Sequence, residues 1–145
     1  MNKKEEKYNC LKLENQLCFP LYAASNAIIR KYRPLLKELD LTYTQYITMM
    51  ALWEKDFVTV KELGECLFLD SGTLTPVLQK LEMKGYIERD RFEEDERVLV
   101  ISLTEKGEKL KEKAVNVPKE LSKELKLEPE EAMQLHKILY KIIKN

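Results

Sequence analysis

The sequence predicts a mainly α-helical domain carrying one small β-hairpin, an α+β arrangement. Apolar residues recur at helical spacing through most of the chain, helix-capping residues punctuate it, and the period turns strand-like only near residues 86–103. At 145 residues it has the length of one domain. A domain of about 150 residues buries roughly two-thirds of its unfolded surface without disulfide or metal staples. A composition of 44% hydrophobic and 34% charged residues excludes a disordered chain.

The first long segment sets Leu13, Leu17, Leu21, Ala24, Ile28, Tyr32 and Leu35 on one helical stripe. Pro20 and Pro34 interrupt it, so kinks or restarts are expected there. A second helix is expected over 44–55, with Thr42 or Thr44 as its N-cap. Thr59-Val60-Lys61-Glu62 is a capping-box pattern opening a helix to about Leu67. Asp70 or Ser71 caps the next helix, which runs to about Lys84 with Gly85 just past its end. Tyr86-Ile87-Glu88-Arg89 reads as a short strand, residues 90–97 as a charged turn, and residues 98–103 as a second strand. Thr104 caps a polar helix through Lys113, and Pro118 breaks or bends its continuation. From Pro129 an amphipathic tail puts Ala132, Leu135, Leu139 and Ile142 on one face.

This order is that of a winged helix–turn–helix core flanked by helices at both ends. Such a core does not need apolar stripes at both chain ends, and a second copy of the chain is the economical cover for them. The expected organisation is therefore a single domain over 1–145. Dimerisation helices lie at about 11–40 and 118–145, and a DNA-binding core at about 44–104 with its wing at 86–103.

Several functions are excluded or disfavoured. No apolar run approaches a membrane span, and the start lacks the apolar stretch of a signal peptide, so a cytoplasmic protein with reduced thiols is expected. One His and no carboxylate–histidine cluster argue against hydrolytic chemistry and a metal site, and no cofactor is expected. Lys+Arg 25 against Asp+Glu 25 gives no net charge, which disfavours indiscriminate nucleic-acid binding but leaves room for basic groups gathered on one face.

Ser71, Thr73, Thr75, Gln79 and Lys80 lie on the second helix of the helix–turn–helix, where hydroxyls, amides and cations near a helix N-terminus reach base edges and phosphates. The alternative is that they only cap the helix or face water. At the wing tip, Arg97 follows four acids, of which Asp95 can pair with it and orient it toward a narrow minor groove. An ordinary charged turn is the competing reading.

Of three cysteines, Cys66 sits in an apolar run and is expected in the core, while Cys10 lies in a polar segment. Cys18 stands beside Pro20, in a segment that also carries Tyr22 and Tyr32. A helix N-terminus and phenolic donors both stabilise a thiolate, the reactive form, although a plain core cysteine fits the spacing as well.

Leu13-Glu14-Asn15-Gln16-Leu17-Cys18-Phe19, Leu69-Asp70-Ser71-Gly72-Thr73-Leu74-Thr75-Pro76 and Glu93-Glu94-Asp95-Glu96-Arg97 resemble the peroxide-sensing branch of the MarR transcription regulators, that of the organic hydroperoxide resistance repressors. The resemblance covers about residues 11–118. It implies a homodimeric repressor on a palindromic double-stranded operator, with Cys18 as the thiol that reacts with an organic hydroperoxide. It also implies that Tyr32 and Tyr43 hydrogen-bond that thiol across the dimer interface, with Tyr22 in the same pocket. Two-cysteine members carry their resolving cysteine in the C-terminal half. No cysteine lies beyond Cys66 here, so a mixed disulfide with a small cellular thiol is expected ahead of a disulfide between subunits, with Cys10 left open as a candidate partner. The alternatives are a regulator sensing a small phenolic ligand, a broader stress or virulence regulator using the same thiol, and, from another class, a thiol peroxidase.

Overall fold

Four helix starts in the middle of the chain are set by side-chain oxygens. Thr42, Thr59, Asp70 and Thr104 each accept the backbone N–H three residues on, relieving a donor that the first helical turn leaves unpaired. The computed structural model describes residues 2–144; residues 1 and 145, the ends of the expected domain, lie outside the described residues. The elements run α1 (Lys3–Lys7), α2 (Cys18–Lys37), α3 (Tyr43–Glu54), β1 (Val58–Thr59), α4 (Val60–Leu67), α5 (Ser71–Met83), β2 (Ile87–Phe92), β3 (Asp95–Leu103), α6 (Glu105–Ala114), α7 (Val117–Leu125) and α8 (Pro129–Ile143).

Two expectations about the first segment are corrected. Leu13 and Leu17 are exposed and precede α2, in a stretch of short 3-10 turns. There the Asn15 and Gln16 amides donate to the carbonyls of Asn9, Cys10 and Lys12, each at 2.7 Å, so side chains replace the helical partners. Pro20 is the third residue of α2, where a missing N–H costs nothing, and it opens the helix instead of interrupting it. The helix then runs through Pro34.

The hairpin also differs. Its strands are longer than expected, with only Glu93 and Glu94 between them, and β1 adds a third strand in the order β1-β3-β2. Val58 pairs with Ile101 and Thr59 with Val100, a two-residue strand too short to show a period in sequence. Covering one edge of β3 in this way gives the wing the support that a lone hairpin lacks.

The core gathers Leu36, Tyr46, Met49, Leu52, Leu63, Leu74, Leu78, Leu81, Ile87 and Ile101, with α3 at its centre. Beyond its apolar face, α3 is tied to the first turn of α6 and to the end of the wing strand β3. Trp53 Nε1 donates to the Gly107 carbonyl at 2.9 Å, and Asp56, just past the helix, accepts the Leu103 N–H at 2.8 Å. α7 lies on α2 and buries Val117 and Leu121. In contrast, α8 has no buried residue, and its Leu135, Leu139 and Ile142 face Leu21, Ala24 and Ile28 of α2 across an apolar cavity of about 390 Å³. Among the described residues no helix is long and apolar enough to cross a membrane.

Gly107 marks the tightest crossing. A Cβ there would run into the Tyr86 carbonyl, where α6 leans on the start of β2. Gly107→Ala should therefore destabilise the fold by roughly 1–3 kcal/mol, the usual cost of overpacking. Urea unfolding should show a lower midpoint with an unchanged slope, and an unchanged midpoint would show that the crossing has slack.

Candidate functional site

Two groups of side chains stand out, one around α5 and the wing, the other at the two ends of α2. On α5, Leu74, Val77, Leu78 and Leu81 are buried, which turns Ser71, Thr73, Thr75, Gln79 and Lys80 to solvent. The Thr73 N–H, donated at 2.7 Å, holds the Asp70 carboxyl below its ordinary range, so the cap stays ionised at the start of the helix. Thr75 donates its hydroxyl hydrogen to the Ser71 carbonyl at 2.7 Å, so it presents a methyl group and lone pairs outward. Pro76 is the sixth helical residue, deeper than the first turn where proline costs little, and its missing N–H leaves the Gly72 carbonyl without a helical partner.

The wing tip is built around a bulge. Arg91 pairs with Leu99 but Phe92 pairs with Asp95, so Glu96, Arg97 and Val98 face no β2 residue. Arg91 reaches across to donate to the Glu96 carbonyl at 2.6 Å, meeting an acceptor that the bulge would leave unpaired. Asp95 accepts both the Arg97 backbone N–H, at 3.0 Å, and its Nε, at 3.1 Å. The guanidinium lowers the Asp95 carboxyl below its ordinary value, and the Arg97 side chain remains 91% exposed. At the wing base, Arg89 pairs with Glu82 of α5 at 3.0 Å, which fixes the wing against that helix. Lys61, Thr75, Arg89 and Arg97 line one cleft of about 340 Å³ between α4, α5 and the wing. Arg97 and Thr75, far apart in the sequence, thus share a wall. Sequence reasoning does not single out Lys61; its position in the first turn of α4, facing α5, is the available signal.

At the other site Cys18 is the first residue of α2 and is exposed, as is Tyr22 one turn on. Tyr32 lies on the same helical face fourteen positions later, which at 1.5 Å per residue is about 21 Å along the axis. Its ring packs at a tilt against Tyr43, with centroids 4.8 Å apart, and against Tyr46 at 5.7 Å. The fold therefore joins Tyr32 to Tyr43 and adds Tyr46, whose spacing in the sequence suggests only a place in the apolar core. Within one chain it leaves Cys18 and Tyr22 at the opposite end of the helix. Burial, reinforced by Tyr43 and Tyr46, pushes the Tyr32 phenol up to about 12, and burial also raises Tyr43 and Tyr46. All three remain protonated hydrogen-bond donors at neutral pH.

Cys66 is exposed, contrary to expectation. At 100° per residue Val60, Leu63 and Leu67 share the inward side of α4, whereas Cys66 falls outside that arc. Cys10 is exposed as well. Among the described residues no group of His, Cys, Asp and Glu is placed to hold a metal ion.

A capped helix–turn–helix, an outward-facing second helix and a wing beside it that presents Arg97 define a winged-helix regulator. Residues 30–114 match the transcriptional regulator SarA/Rot family, and the chain belongs to this family of MarR-type winged-helix regulators. It is 50% identical over 96% of its length to the organic hydroperoxide resistance transcriptional regulator of Bacillus subtilis, covering 95% of that protein. It is 48% identical over 85% of its length to the regulator SarZ of Staphylococcus aureus, covering 83% of it. Among solved structures it is similar to reduced AbfR bound to DNA, at 35% identity and a TM-score of 0.77, covering 92% of this chain and 95% of that one. AbfR, a Staphylococcus epidermidis protein, is also solved overoxidized on DNA and with a disulfide formed.

The tyrosine cluster generates a pH prediction. Unfolded phenols ionise near pH 10. With Tyr32 near 12 in the folded protein, its stabilising contribution is complete below pH 10 and is lost as pH rises toward 12. Ultraviolet titration should show a late-ionising phenol that is absent from Tyr32→Phe. Tyrosines that all ionise together near pH 10 would contradict the burial of this cluster.

Proposed function

We propose that the protein is a homodimeric repressor that binds a palindromic double-stranded operator and releases it when an organic hydroperoxide oxidises Cys18. The observation that carries this reading is the separation of about 21 Å along α2 between Cys18 and the Tyr32–Tyr43 pair, on one helical face. No hydrogen bond spans that distance within a chain. Two copies with their α2 helices antiparallel would set Cys18 of each against the phenols of the other. The exposed apolar residues at both chain ends, among them Leu17, Phe19, Ile138 and Ile142, supply the surface for such a pairing.

In this reading residues 11–40 and 118–145 dimerise and residues 44–104 bind DNA. Ser71, Thr73, Thr75, Gln79 and Lys80 enter the major groove, and Arg97, held by Asp95, enters the adjoining minor groove. The Cys18 thiolate attacks the peroxide and forms a sulfenate, releasing an alcohol. A small cellular thiol then condenses with the sulfenic acid to a mixed disulfide and water. Either product is larger or more polar than a thiol and breaks its hydrogen bonds to Tyr32 and Tyr43. The names of the Bacillus subtilis relative and of the AbfR structures support both the effector class and the DNA. A second reading, a regulator that senses a small apolar or phenolic ligand, is favoured by the apolar cavity between α2 and α8, which Tyr43 also lines.

Operator binding by Cys18→Ser, with and without an organic hydroperoxide, tests the thiol reading. The variant should bind DNA as the wild type does and ignore the peroxide; release of the variant by peroxide would assign the switch elsewhere. Steady-state peroxide consumption distinguishes sensor from peroxidase, since a sensor stops after one equivalent per thiol. Arg97→Ala should weaken operator binding by roughly 1–3 kcal/mol while leaving the fold intact. Unchanged affinity at moderate salt would remove the wing from the interface.

A further inference from the structure

Gln45 stands between Tyr43 and Tyr46 in the first turn of α3 and is only 3% exposed. It completes a capping box: the Thr42 N–H donates to its Oε1 at 3.1 Å, and its own N–H donates to Thr42 Oγ1 at 3.3 Å. A box needs nothing more, yet the same Oε1 takes a second donor, the Lys84 ammonium, at 3.0 Å. Lys84 is the C-cap of α5 and so continues the helix whose outer face carries Thr73, Gln79 and Lys80. Its ammonium also donates to the Asp40 carbonyl and lies 3.7 Å from the Asp40 carboxylate. Both of these partners, like Gln45, belong to the corner between α2 and α3.

We infer that Lys84 and Gln45 form a positioning latch that passes the state of the tyrosine cluster to the recognition helix. This rests on the reading of Cys18 as the switch. Tyr43 and Tyr46 flank Gln45 in the chain and pack against Tyr32, so the cluster cannot shift without moving the first turn of α3. When oxidation of the opposing thiol displaces Tyr43, the Gln45 carbonyl leaves the ammonium. Opening leaves the Gln45 carbonyl with the Thr42 N–H alone and the ammonium with only its Asp40 partners, so the closed and open arrangements differ by one charge-assisted hydrogen bond. The ion pair between Arg89 and Glu82 keeps α5 and the wing together, so opening the latch reorients both DNA-reading elements as one body.

The test compares the operator affinity of the reduced and the peroxide-treated dimer for wild type, Lys84→Met and Gln45→Glu. Cys18 oxidation is followed by mass spectrometry in each protein, and folding by circular dichroism. The wild type should show a ratio within the range of about 5–150-fold typical of allosteric coupling. A wild-type ratio of one would refute the cysteine switch itself, separately from the latch. Lys84→Met, permanently unlatched, should bind the operator weakly even when reduced, and peroxide should change its affinity less than about threefold. Gln45→Glu keeps the capping box and gives Lys84 a carboxylate, so its oxidised form should stay on DNA within about threefold of the reduced form. Loss of the response from opposite sides, with Cys18 still oxidised in both variants, is what a residue supporting only stability would not produce. Either variant, folded and retaining the wild-type ratio, overturns the latch. If Lys84→Met unfolds, Gln45→Glu decides alone.

Discussion

The fold depends on the burial of α3. Tyr46, Thr48, Met49 and Leu52 are enclosed by α2, α4, α5, α6 and β3, so this one helix touches most of the elements that carry function. Thr48 shows how complete the enclosure is: fully buried, it meets its own polar requirement by donating to the Thr44 carbonyl at 2.7 Å. A helix held by five neighbouring elements shifts as a rigid unit if it shifts at all. Its N-terminal turn adjoins the tyrosine cluster, and its C-terminal end is tied to α6 through Trp53 and to the last residue of β3 through Asp56. The proposed sensing pocket and the proposed DNA-reading elements both pack on this helix, and the proposed switch joins them through it.

A chain with equal numbers of acids and bases supports a nucleic-acid interface through local placement. Glu82 lies against Arg89, and Asp95 is spent on Arg97. The bulge that isolates residues 96–98 sets the Arg97 head outward, while Arg91 crosses behind it to the Glu96 carbonyl. Net charge governs long-range attraction, whereas specific contact needs only a few cations held in place. The acidic run that looks hostile to DNA contains the carboxylate that aligns the arginine.

Most of the fold is legible in the sequence because it is written in local chemistry. Thr42, Thr59, Asp70 and Thr104 cap the helices as their positions suggest, and Gly85, at a φ of +80°, ends α5 in the left-handed conformation that suits glycine. The departures come from interactions that a local pattern does not carry. β1 exists only because Ile101 and Val100 pair with it. Leu13 and Leu17 carry helical spacing, but the Asn15 and Gln16 side chains satisfy the backbone there in another way. Cys66 lies in an apolar run, yet its phase around the helix, not the run, decides its exposure. The candidate site is legible in its residue types and in the family resemblance. That Cys18 and Tyr32 stand at opposite ends of one helix requires the helix boundaries, and the link from Gln45 to Lys84 spans 39 positions, beyond any local pattern.

The central claim is that oxidation at the end of α2 changes the disposition of the recognition helices. Its most direct test is the distance between the two copies of α5, measured by pulsed electron resonance with non-cysteine spin labels at the exposed Met83 position. In the reduced dimer the two recognition helices should sit about one DNA turn apart, roughly 34–36 Å between centres. The label distribution should be narrow and fit that geometry, and full oxidation by an organic hydroperoxide should shift or broaden it. An unchanged distribution in protein whose Cys18 is fully oxidised would contradict the account.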